Sequence, residues 1–375
     1  MRRFAIIVAL LLLLIQPRAA DAPRGVIGLF GEQVSTTVHP SSTAVPARKH
    51  DLAARAVKLP AVTLSSVFAA RAPSLAGLDP RRLITIRTTG DVIPARMVNE
   101  VMTERNDFTY PFLKTYKYTR AADLTLINLE SPLIPGCQPT ETGMTFCGDQ
   151  RAVQGLRLAG VDIANLPNNH IGNYGDDGIR ATEKLLAAND IAWDGFGHTV
   201  YKNVKGVVFA FLGFNAVEQE VDTKEMEREI RGARKRANVV IVSMHWGMEY
   251  TPLPQVAPGV ADQDPRVLAH LAVDAGADLI VGNHPHVVQG VEIYKGKFIS
   301  YASGNFVFDQ ISLGRSDTQQ GVVGTYTFYG KKLVSVRYRP VLIADWAQPH
   351  FISAKAEAPI LRRMLDASLT IKKGY

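Results

Sequence analysis

After its first residues the sequence lacks any apolar run long enough to cross a bilayer, which takes about 20 residues. The one marked run, Phe4 to Ile15, follows two arginines and precedes several small residues. A short apolar segment with these flanks predicts a secretory signal peptide over residues 1–22. We therefore expect an exported protein, periplasmic or extracellular, with no further membrane span. A signal that is not cleaved, and so tethers the protein to the membrane, is the alternative.

Cysteine is scarce, with Cys137 and Cys147 the only two in 375 residues. Two thiols this far apart lack the paired spacing of zinc-binding motifs, which argues against a cysteine-based metal site. An even number of cysteines in an exported protein instead favours one disulfide that closes the polar segment between them. We expect this bond to add about 2–3 kcal/mol of stability by restricting the unfolded chain.

The sequence also lacks an excess of either charge outside its two ends. The formal net charge is +7, yet the region from Arg81 to Asp345 contains 28 Lys and Arg residues against 29 Asp and Glu residues. The positive excess therefore lies on the N-terminal segments and the tail. No basic stripe with interleaved aromatic residues occurs, so we expect no nucleic-acid partner.

Composition divides the chain into four parts. After the predicted signal, residues 23–80 are rich in Ala, Pro, Ser, Thr and Arg and have weak periodicity, which predicts a linker or loosely ordered extension. Residues 81–350 have the alternating pattern of a folded α/β domain. Residues 351–375 are predicted to form a C-terminal helix and tail.

Within the predicted domain, five short apolar segments rich in β-branched residues each end in a polar cluster. The clusters are Gly90-Asp91, Asn128-Leu129-Glu130, Asn168-Asn169-His170, His245-Trp246-Gly247 and His284-Pro285-His286. Helical patterns such as Pro265–Ala275 separate the segments, which predicts an α/β fold with largely parallel strands. Ligands of such folds bind at the carboxyl ends of the strands, so we expect the clusters to meet at one site.

The clusters supply carboxylate, amide and imidazole groups, which suit divalent metals such as Zn²⁺, Mn²⁺ or Fe²⁺. Taken singly, each cluster also fits a turn, a helix cap or a buried structural histidine. Four imidazoles and two carboxylates together exceed the needs of one tetrahedral ion and favour two ions about 3.5–4 Å apart. The candidate residues are Asp91, Glu130, Asn169, His170, His245, His284 and His286. Asn305 and Asp309 either line this site or shape its loop.

These clusters, together with Ser303-Gly304-Asn305-Phe306, resemble the signature of CapA-type proteins of capsule (poly-γ-glutamate) biosynthesis. The resemblance extends from about Leu83 to Asp345. That family is related to the calcineurin-like metallophosphoesterases, which implies an α/β fold in which two mixed sheets pack face to face with helices outside them, a four-layer α/β/β/α sandwich.

The resemblance also implies roles for the residues. His170 would be a general acid or a transition-state donor, working near neutral pH because the unperturbed pKa of histidine is about 6.5. The first motif, Asp91-Val92-Ile93, lacks the histidine that the superfamily usually has, which makes a single ion or a weakly bound second ion an alternative. Asn173 and Asn283 stand where the family often has Asp and His. The metal ligands would be Asp91, Glu130 in the bridging position, Asn169, His245, His284 and His286.

Two hypotheses for the function follow from the resemblance. The first is an exported metal-dependent hydrolase that uses a metal-activated water on a phosphoester or on a γ-glutamyl amide of a cell-envelope polymer. The second is a non-catalytic component of capsule assembly or export that binds the polymer or partner proteins. A nucleotidase is less favoured, because the sequence has no second domain suited to a nucleobase.

Overall fold

The computed structural model describes residues 58–310 and 314–374 of the chain. The signal peptide predicted over residues 1–22, and most of the extension predicted over residues 23–80, lie outside the described residues. The strands are β1 (Leu83–Val92), β2 (Leu124–Leu129), β3 (Leu133–Ile134), β4 (Gly148–Asp149), β5 (Ile163–Asn165), β6 (Ala192–Asp194), β7 (Val200–Val204), β8 (Val207–Asn215), β9 (Val239–His245), β10 (Leu279–Asn283), β11 (Val291–Tyr294), β12 (Lys297–Ser300), β13 (Asn305–Val307), β14 (Gln320–Tyr329), β15 (Lys332–Ala344) and β16 (Gln348–Phe351). The α-helices are α1 (Leu64–Val67), α2 (Met97–Glu104), α3 (Tyr116–Thr119), α4 (Val153–Ala159), α5 (Gly175–Ala187), α6 (Thr223–Arg236), α7 (Pro265–Ala275) and α8 (Ala354–Lys373).

The strands form two large mixed sheets and one short ladder. The first sheet has the order β16-β15-β14-β1-β2-β5-β6, with β13 paired to the end of β1. The second has the order β11-β12-β10-β9-β8-β7, and β3 pairs with β4. Strands β1, β2, β5 and β6 run parallel, as do β8, β9, β10 and β12. The predicted polar clusters therefore follow parallel strands of both sheets.

Three apolar clusters define the layers. Between the two sheets, Ile86 of β1 and Phe211 of β8 belong to one buried cluster. On the outer face of the first sheet, Leu156 of α4 belongs to a second cluster. On the outer face of the second sheet, Ile230 of α6 and Leu268 of α7 belong to a third. The predicted four-layer α/β/β/α sandwich is thus confirmed, because helices cover the outer faces and the sheets bury their inner faces against each other.

Local signals in the sequence determine where α7 begins and ends. The carboxylate of Asp264, the N-cap, accepts a hydrogen bond of 2.7 Å from the backbone N–H of Arg266, and Pro265 opens the helix. Gly276 ends it with a φ of 126°, a conformation that glycine adopts without strain. The bounds predicted for this helix are confirmed.

The two ends of the described chain pack against the domain. Helix α1 lies within the predicted extension and contacts β15, where the Arg337 guanidinium donates a hydrogen bond of 2.6 Å to the carbonyl of Ala69. At the other end, Ser353 caps α8, and its hydroxyl accepts a hydrogen bond from the backbone N–H of Ala356. Within the described ranges, no helix has the length and apolar character needed to cross a membrane.

Cys137 and Cys147 form the predicted disulfide, with their Cα atoms 5.9 Å apart. The bond closes a loop between β3 and β4, which pair in parallel at the base of that loop. The loop thus has a covalent closure beside a two-stranded ladder, and its last part reaches the site described below.

Candidate metal centre

The five polar clusters meet where the parallel strands of both sheets end, as predicted. Asp91 lies near the end of β1 and Glu130 directly follows β2, while His245 ends β9. His284 and His286 follow β10, whose last residue pairs with His245. All five side chains are buried, with at most 3% of each residue exposed. The candidate ligands therefore surround one interior position between the two sheets.

One amide holds the two carboxylates together. The Nδ2 group of Asn128 donates hydrogen bonds to Asp91 Oδ1 at 2.9 Å and to Glu130 Oε2 at 3.0 Å. Asp91 Oδ1 also accepts from Asn283 Nδ2 at 2.8 Å, and its other oxygen lies 3.1 Å from His286 Nδ1. Burial acts to raise the pKa of Asp91, but these hydrogen bonds, led by that of His286, leave it below its ordinary value.

The surroundings of Glu130 shift its pKa in the direction opposite to that of Asp91. Its Oε1 atom is buried and has no hydrogen-bond partner among the described residues. Burial, reinforced by the neighbouring negative charge of Asp91, raises the pKa of Glu130 well above its ordinary value. A bound cation would reverse this effect, because it stabilises the ionised carboxylate.

Two histidines present ring nitrogens without partners. Neither Nδ1 nor Nε2 of His284 has a hydrogen-bond partner in the described part of the chain, and the same holds for Nδ1 of His245. The Nε2 atom of His245 lies 2.9 Å from Oδ1 of Asn169, which is half-buried. Burial lowers the pKa of His284 to about 3 and that of His245 well below its ordinary value. Both rings are therefore neutral, the form in which imidazole binds metal ions.

His286 faces polar groups on both sides of its ring. Its Nδ1 atom lies 2.9 Å from Asn305 Oδ1, in addition to its contact with Asp91. Its Nε2 atom lies 3.7 Å from Glu130 Oε1 and 3.9 Å from Glu249 Oε1. Burial alone would lower the pKa of His286, but the hydrogen bond and charge of Asp91, with the charge of Glu249, outweigh it and raise the pKa.

The set of donors fits a divalent cation. Ligand atoms of Glu130, His284 and His286 lie within 4.8 Å of one another, and so do those of Asp91, Glu130 and His245. Glu130 belongs to both groups, which suits the bridging position implied by the resemblance. Each buried polar atom left unpaired costs about 1–3 kcal/mol, so several at one position favour a bound ion that pairs them. Metal binding by these residues stays a prediction that the geometry supports.

The loop that carries Asn169 and His170 is held by Asn168. Its Oδ1 atom accepts hydrogen bonds from the backbone N–H groups of His170 at 3.2 Å and Ile171 at 2.8 Å. Its Nδ2 group donates to the carbonyl of Leu129 at 2.9 Å. The first asparagine of the motif therefore fixes the loop to the end of β2, and the two following residues face the site.

His170 is neutral, contrary to the pKa near neutrality that the sequence suggested. Its Nδ1 atom lies 3.0 Å from Asn173 Oδ1, an oxygen that also accepts a hydrogen bond from the backbone N–H of Phe146 at 2.6 Å. Since that oxygen is an acceptor, Nδ1 is the donor, and the neutral ring carries its lone pair on Nε2. Burial lowers the pKa of His170 to about 4, outweighing the effects of Asn173 and of the carbonyl of Met144.

A cavity of about 110 Å³ adjoins His170 and His286. Arg96 lines it and is held by an ion pair with buried Asp309 and by a hydrogen bond of 3.1 Å to the carbonyl of Gly143. The remaining lining residues are Met144, Phe146, Glu249, Tyr250, Phe308 and Gln310. A larger cavity of about 710 Å³ contains none of the candidate residues. The smaller one is therefore the relevant space, and it holds a guanidinium close to the candidate metal ligands.

Sequence reasoning missed several residues of this site. Asn128 could have been found, because residues two apart on a strand point to the same side, and Glu130 lies two residues later. For Asn305 and Asp309 the sequence allows either a site role or a loop role, and the structure places Asn305 against His286 and Asp309 against Arg96. Arg96 and Glu249 lie outside any periodic pattern, and no signal in the sequence connects them to the site.

A sequence model of the family described as "Bacterial capsule synthesis protein PGA_cap" matches residues 85–310. The chain is 32% identical over 257 residues to the capsule biosynthesis protein CapA of Bacillus anthracis, a match that covers 60% of each protein. It is 32% identical over 248 residues to the PGA biosynthesis protein CapA of Bacillus subtilis (strain 168), which covers 59% of this chain and 62% of the relative. The chain thus spans less than two thirds of the length of these relatives. A hypothetical protein from Thermus thermophilus, of known crystal structure, is similar over 68% of this chain and 98% of its own, with a TM-score of 0.45 and 16% identity.

Proposed function

The chain belongs to the bacterial capsule synthesis protein family PGA_cap, and from that premise we propose that it is an exported metal-dependent hydrolase of the cell envelope. Its substrate is a γ-glutamyl amide of a capsule polymer or a phosphoester. The observation that carries the proposal is a group of buried candidate ligand atoms that have no hydrogen-bond partner among the described residues, namely Glu130 Oε1, His245 Nδ1 and both ring nitrogens of His284.

The residues that would hold one or two divalent ions, Mn²⁺, Zn²⁺ or Fe²⁺, are Asp91, Glu130, Asn169, His245, His284 and His286. When bound, such an ion supplies a Lewis acid that polarises a carbonyl or phosphoryl oxygen and makes water a better nucleophile. Asn128 keeps the two carboxylates of this set side by side, since its amide donates to both. His286 is kept in orientation by Asp91 and Asn305.

His170 moves the proton in this proposal. Its Nδ1–H is held by Asn173, so Nε2 is the atom that accepts a proton and later returns it to the leaving group. Phe146 covers one face of the ring, with centroids 3.9 Å apart, and so limits the access of bulk water. Burial keeps the ring neutral until substrate arrives, and Asn173 keeps the proton of the neutral ring on Nδ1.

Arg96 binds an anionic group of the substrate. Its guanidinium lines the cavity beside His170, and the ion pair with Asp309 fixes its direction. A carboxylate of a glutamyl unit and a phosphoryl oxygen both match a guanidinium held in this way. The cavity volume of about 110 Å³ suits one such group and not a large leaving group.

The proposal of export is based on the signal peptide predicted over residues 1–22, and the disulfide supports it. Cys137 and Cys147 are paired, and disulfides of this kind persist in oxidising compartments outside the cytoplasm. The relatives named above are proteins of capsule or PGA biosynthesis, which agrees with a place at the cell envelope.

The proposal is tested by turnover of the metal-loaded protein on poly-γ-glutamate and on phosphoesters. We expect His170→Ala to lower turnover by about 10²–10⁴-fold with folding and metal content unchanged. His198→Ala, which changes a histidine bonded to the Trp193 carbonyl and absent from the site, is the matched control. Turnover that is equal in His170→Ala and the parent contradicts the role of His170.

The second candidate is a non-catalytic component of capsule assembly that binds polymer or partner proteins. The names of the relatives favour it, because they describe biosynthesis and not degradation. A metal-loaded parent that binds poly-γ-glutamate but turns over neither substrate class would establish this candidate in place of the hydrolase.

A further inference from the structure

Four polar side chains lie side by side across the parallel strands β1, β2, β5 and β6. In strand register they are Asp91, Asn128, Asn165 and Asp194. Each is almost completely buried, with at most 2% of the residue exposed. The first two belong to the candidate metal centre, whereas Asp194 at the far end of the row has no role in the proposed chemistry.

The amide groups in this row can point in only one direction. Asn128 turns its Nδ2 group towards the carboxylates of Asp91 and Glu130, so its Oδ1 atom faces the next strand. That oxygen accepts a hydrogen bond of 3.1 Å from Asn165 Nδ2 and one of 3.4 Å from Asn168 Nδ2. The Nδ2 group of Asn165 therefore points towards the metal centre, and its Oδ1 atom points to the opposite side, towards β6.

The far end of the row brings acceptors together without a donor. Asn165 Oδ1 and both carboxylate oxygens of Asp194 have no hydrogen-bond partner among the described residues. Two of them, Asn165 Oδ1 and Asp194 Oδ1, lie beside Gly213 of β8 on the facing sheet, where a Cβ atom would overlap Asn165 Oδ1 and lie 2.7 Å from Asp194 Oδ1. Glycine leaves the space that these oxygens occupy. Unpaired acceptors that face the same space in a dry interior require a hydrogen between them or a bound cation.

We propose that Asp194 is a neutral carboxylic acid that donates its O–H to Asn165 Oδ1 and thereby positions Asn128 and the two carboxylates of the metal centre. The row is then one directed chain of hydrogen bonds, from Asp194 to Asn165, to Asn128, and on to Asp91 and Glu130. Each group in this chain fixes the orientation of the amide that follows it. Asp194 acts through these amides and is a positioning residue.

The surroundings of Asp194 agree with a neutral acid. Burial alone raises the pKa of Asp194 well above its ordinary value, and no charged group contributes to the shift. The charged side chains on the packed elements α5 and β7 belong to residues that are partly or fully exposed, namely Asp176, Asp177, Arg180, Glu183, Lys184 and Lys202. The protonation of Asp194 does not depend on the proposed hydrolysis; only its effect on metal affinity rests on the proposed metal centre.

The test compares Asp194→Asn and Asp194→Ala with the parent by denaturant unfolding of the metal-free full chain between pH 5 and 9. Asp194→Asn replaces one neutral donor with another, whereas Asp194→Ala leaves Asn165 without a donor. In the unfolded parent the carboxyl ionises above a pKa of about 3.9, while the folded state keeps the proton. The parent should therefore lose stability as pH rises towards the folded pKa, and Asp194→Asn should lack the part of this loss that Asp194 causes, while the part caused by Glu130 remains in both.

We expect the unfolding midpoint of Asp194→Asn to exceed that of the parent by a margin that grows with pH, and that of Asp194→Ala to lie below Asp194→Asn at every pH. Asp190→Asn, at an exposed position, should leave the pH dependence unchanged. A midpoint for Asp194→Asn below the parent across the whole range would overturn the proposal and indicate an ionised Asp194 that holds a cation.

Infrared spectroscopy gives a second measurement that does not need Asp194→Ala to fold. In a difference spectrum of the metal-free parent minus Asp194→Asn at pH 7, in which any contribution of Glu130 cancels, we expect a carbonyl band of a protonated carboxylic acid. A difference spectrum without this band would contradict the proposal. Zn²⁺ affinity should be retained in Asp194→Asn and weakened by about 10–100-fold in Asp194→Ala. If no variant binds metal, the proposed metal centre fails, but the pH dependence and the infrared band still decide the state of Asp194.

Discussion

The imidazole of His170 stacks on the ring of Phe146, with centroids 3.9 Å apart and planes inclined by 24°. Phe146 directly precedes Cys147, so the loop closed by the disulfide forms a wall of the cavity beside the candidate catalytic histidine. The same loop accepts a hydrogen bond from Arg96 through the carbonyl of Gly143. Two groups proposed to act on the substrate are therefore held by one covalently closed segment.

Removal of the disulfide should loosen this wall. We expect Cys137→Ala/Cys147→Ala to lower the free energy of unfolding by about 2–3 kcal/mol, since the unfolded chain is no longer restricted. The pKa of His170 should rise from about 4 towards its ordinary value as water reaches the ring. Denaturant unfolding and an NMR titration of His170 measure both effects. An unchanged pKa would show that the loop keeps its place without the bond.

Metal binding should depend on the histidines after β10. We expect the parent to contain one or two equivalents of Mn²⁺, Zn²⁺ or Fe²⁺ after incubation, and His284→Ala/His286→Ala to lose them, because both rings face Glu130. Plasma mass spectrometry of the dialysed proteins is the measurement. His198→Ala, which removes a histidine outside the site, should keep the full metal content. A folded parent that stays free of metal would exclude the metal centre.

A charged side chain in place of Asn128 should destabilise the protein. Asn128→Asp replaces the donor between Asp91 and Glu130 with a third carboxylate, and we expect a loss of roughly 2–4 kcal/mol in the unfolding free energy of the metal-free protein at pH 7. Excess Zn²⁺ should restore part of this loss, since a cation offsets the added charge. The exposed Asn203→Asp is the matched control. Equal stability of the two variants would contradict the bridging role of the Asn128 amide.

Acid should destabilise the metal-free protein partly through His170. Its folded pKa of about 4 is lower than the unfolded value of about 6.5, so as pH falls below 6.5 the unfolded state takes up a proton that the folded state does not. Stability is therefore lost between about pH 6.5 and pH 4. His170→Asn should remove about 2 kcal/mol of this loss at pH 5, measured as the difference between unfolding free energies at pH 7 and pH 5. An identical pH dependence in the variant and the parent would mean that His170 titrates normally.

Local sequence was enough to predict much of the architecture. The helix Pro265–Ala275 carries its start and stop signals in Asp264 and Gly276, and the apolar segments ending in Asp91 or His245 carry the pattern of buried strands. Because ligands bind at the carboxyl ends of parallel strands, the sequence also predicted that polar clusters far apart in the chain lie together in the fold. These predictions depend on backbone geometry, which neighbouring residues largely determine.

The expected pKa of His170 was wrong for a physical reason that the sequence does not contain. Burial of the ring determines it, and Phe146, which stacks on the ring, belongs to the disulfide-closed loop, which no pattern in the sequence connects to His170. The role of Arg96 beside Asp309 was likewise absent from any pattern, since the two residues are separated by 213 positions and no periodicity relates them.

By itself, the sequence indicated the five strands that end in polar clusters, the set of candidate metal-binding side chains and the pairing of the two cysteines. The tertiary structure alone decided which buried polar atoms are left without hydrogen-bond partners, which histidines are neutral, and how Asn165 connects to Asp91 through Asn128. Burial, pKa and the direction of a hydrogen bond depend on atoms from both sheets, and these atoms become neighbours only when the sheets pack together.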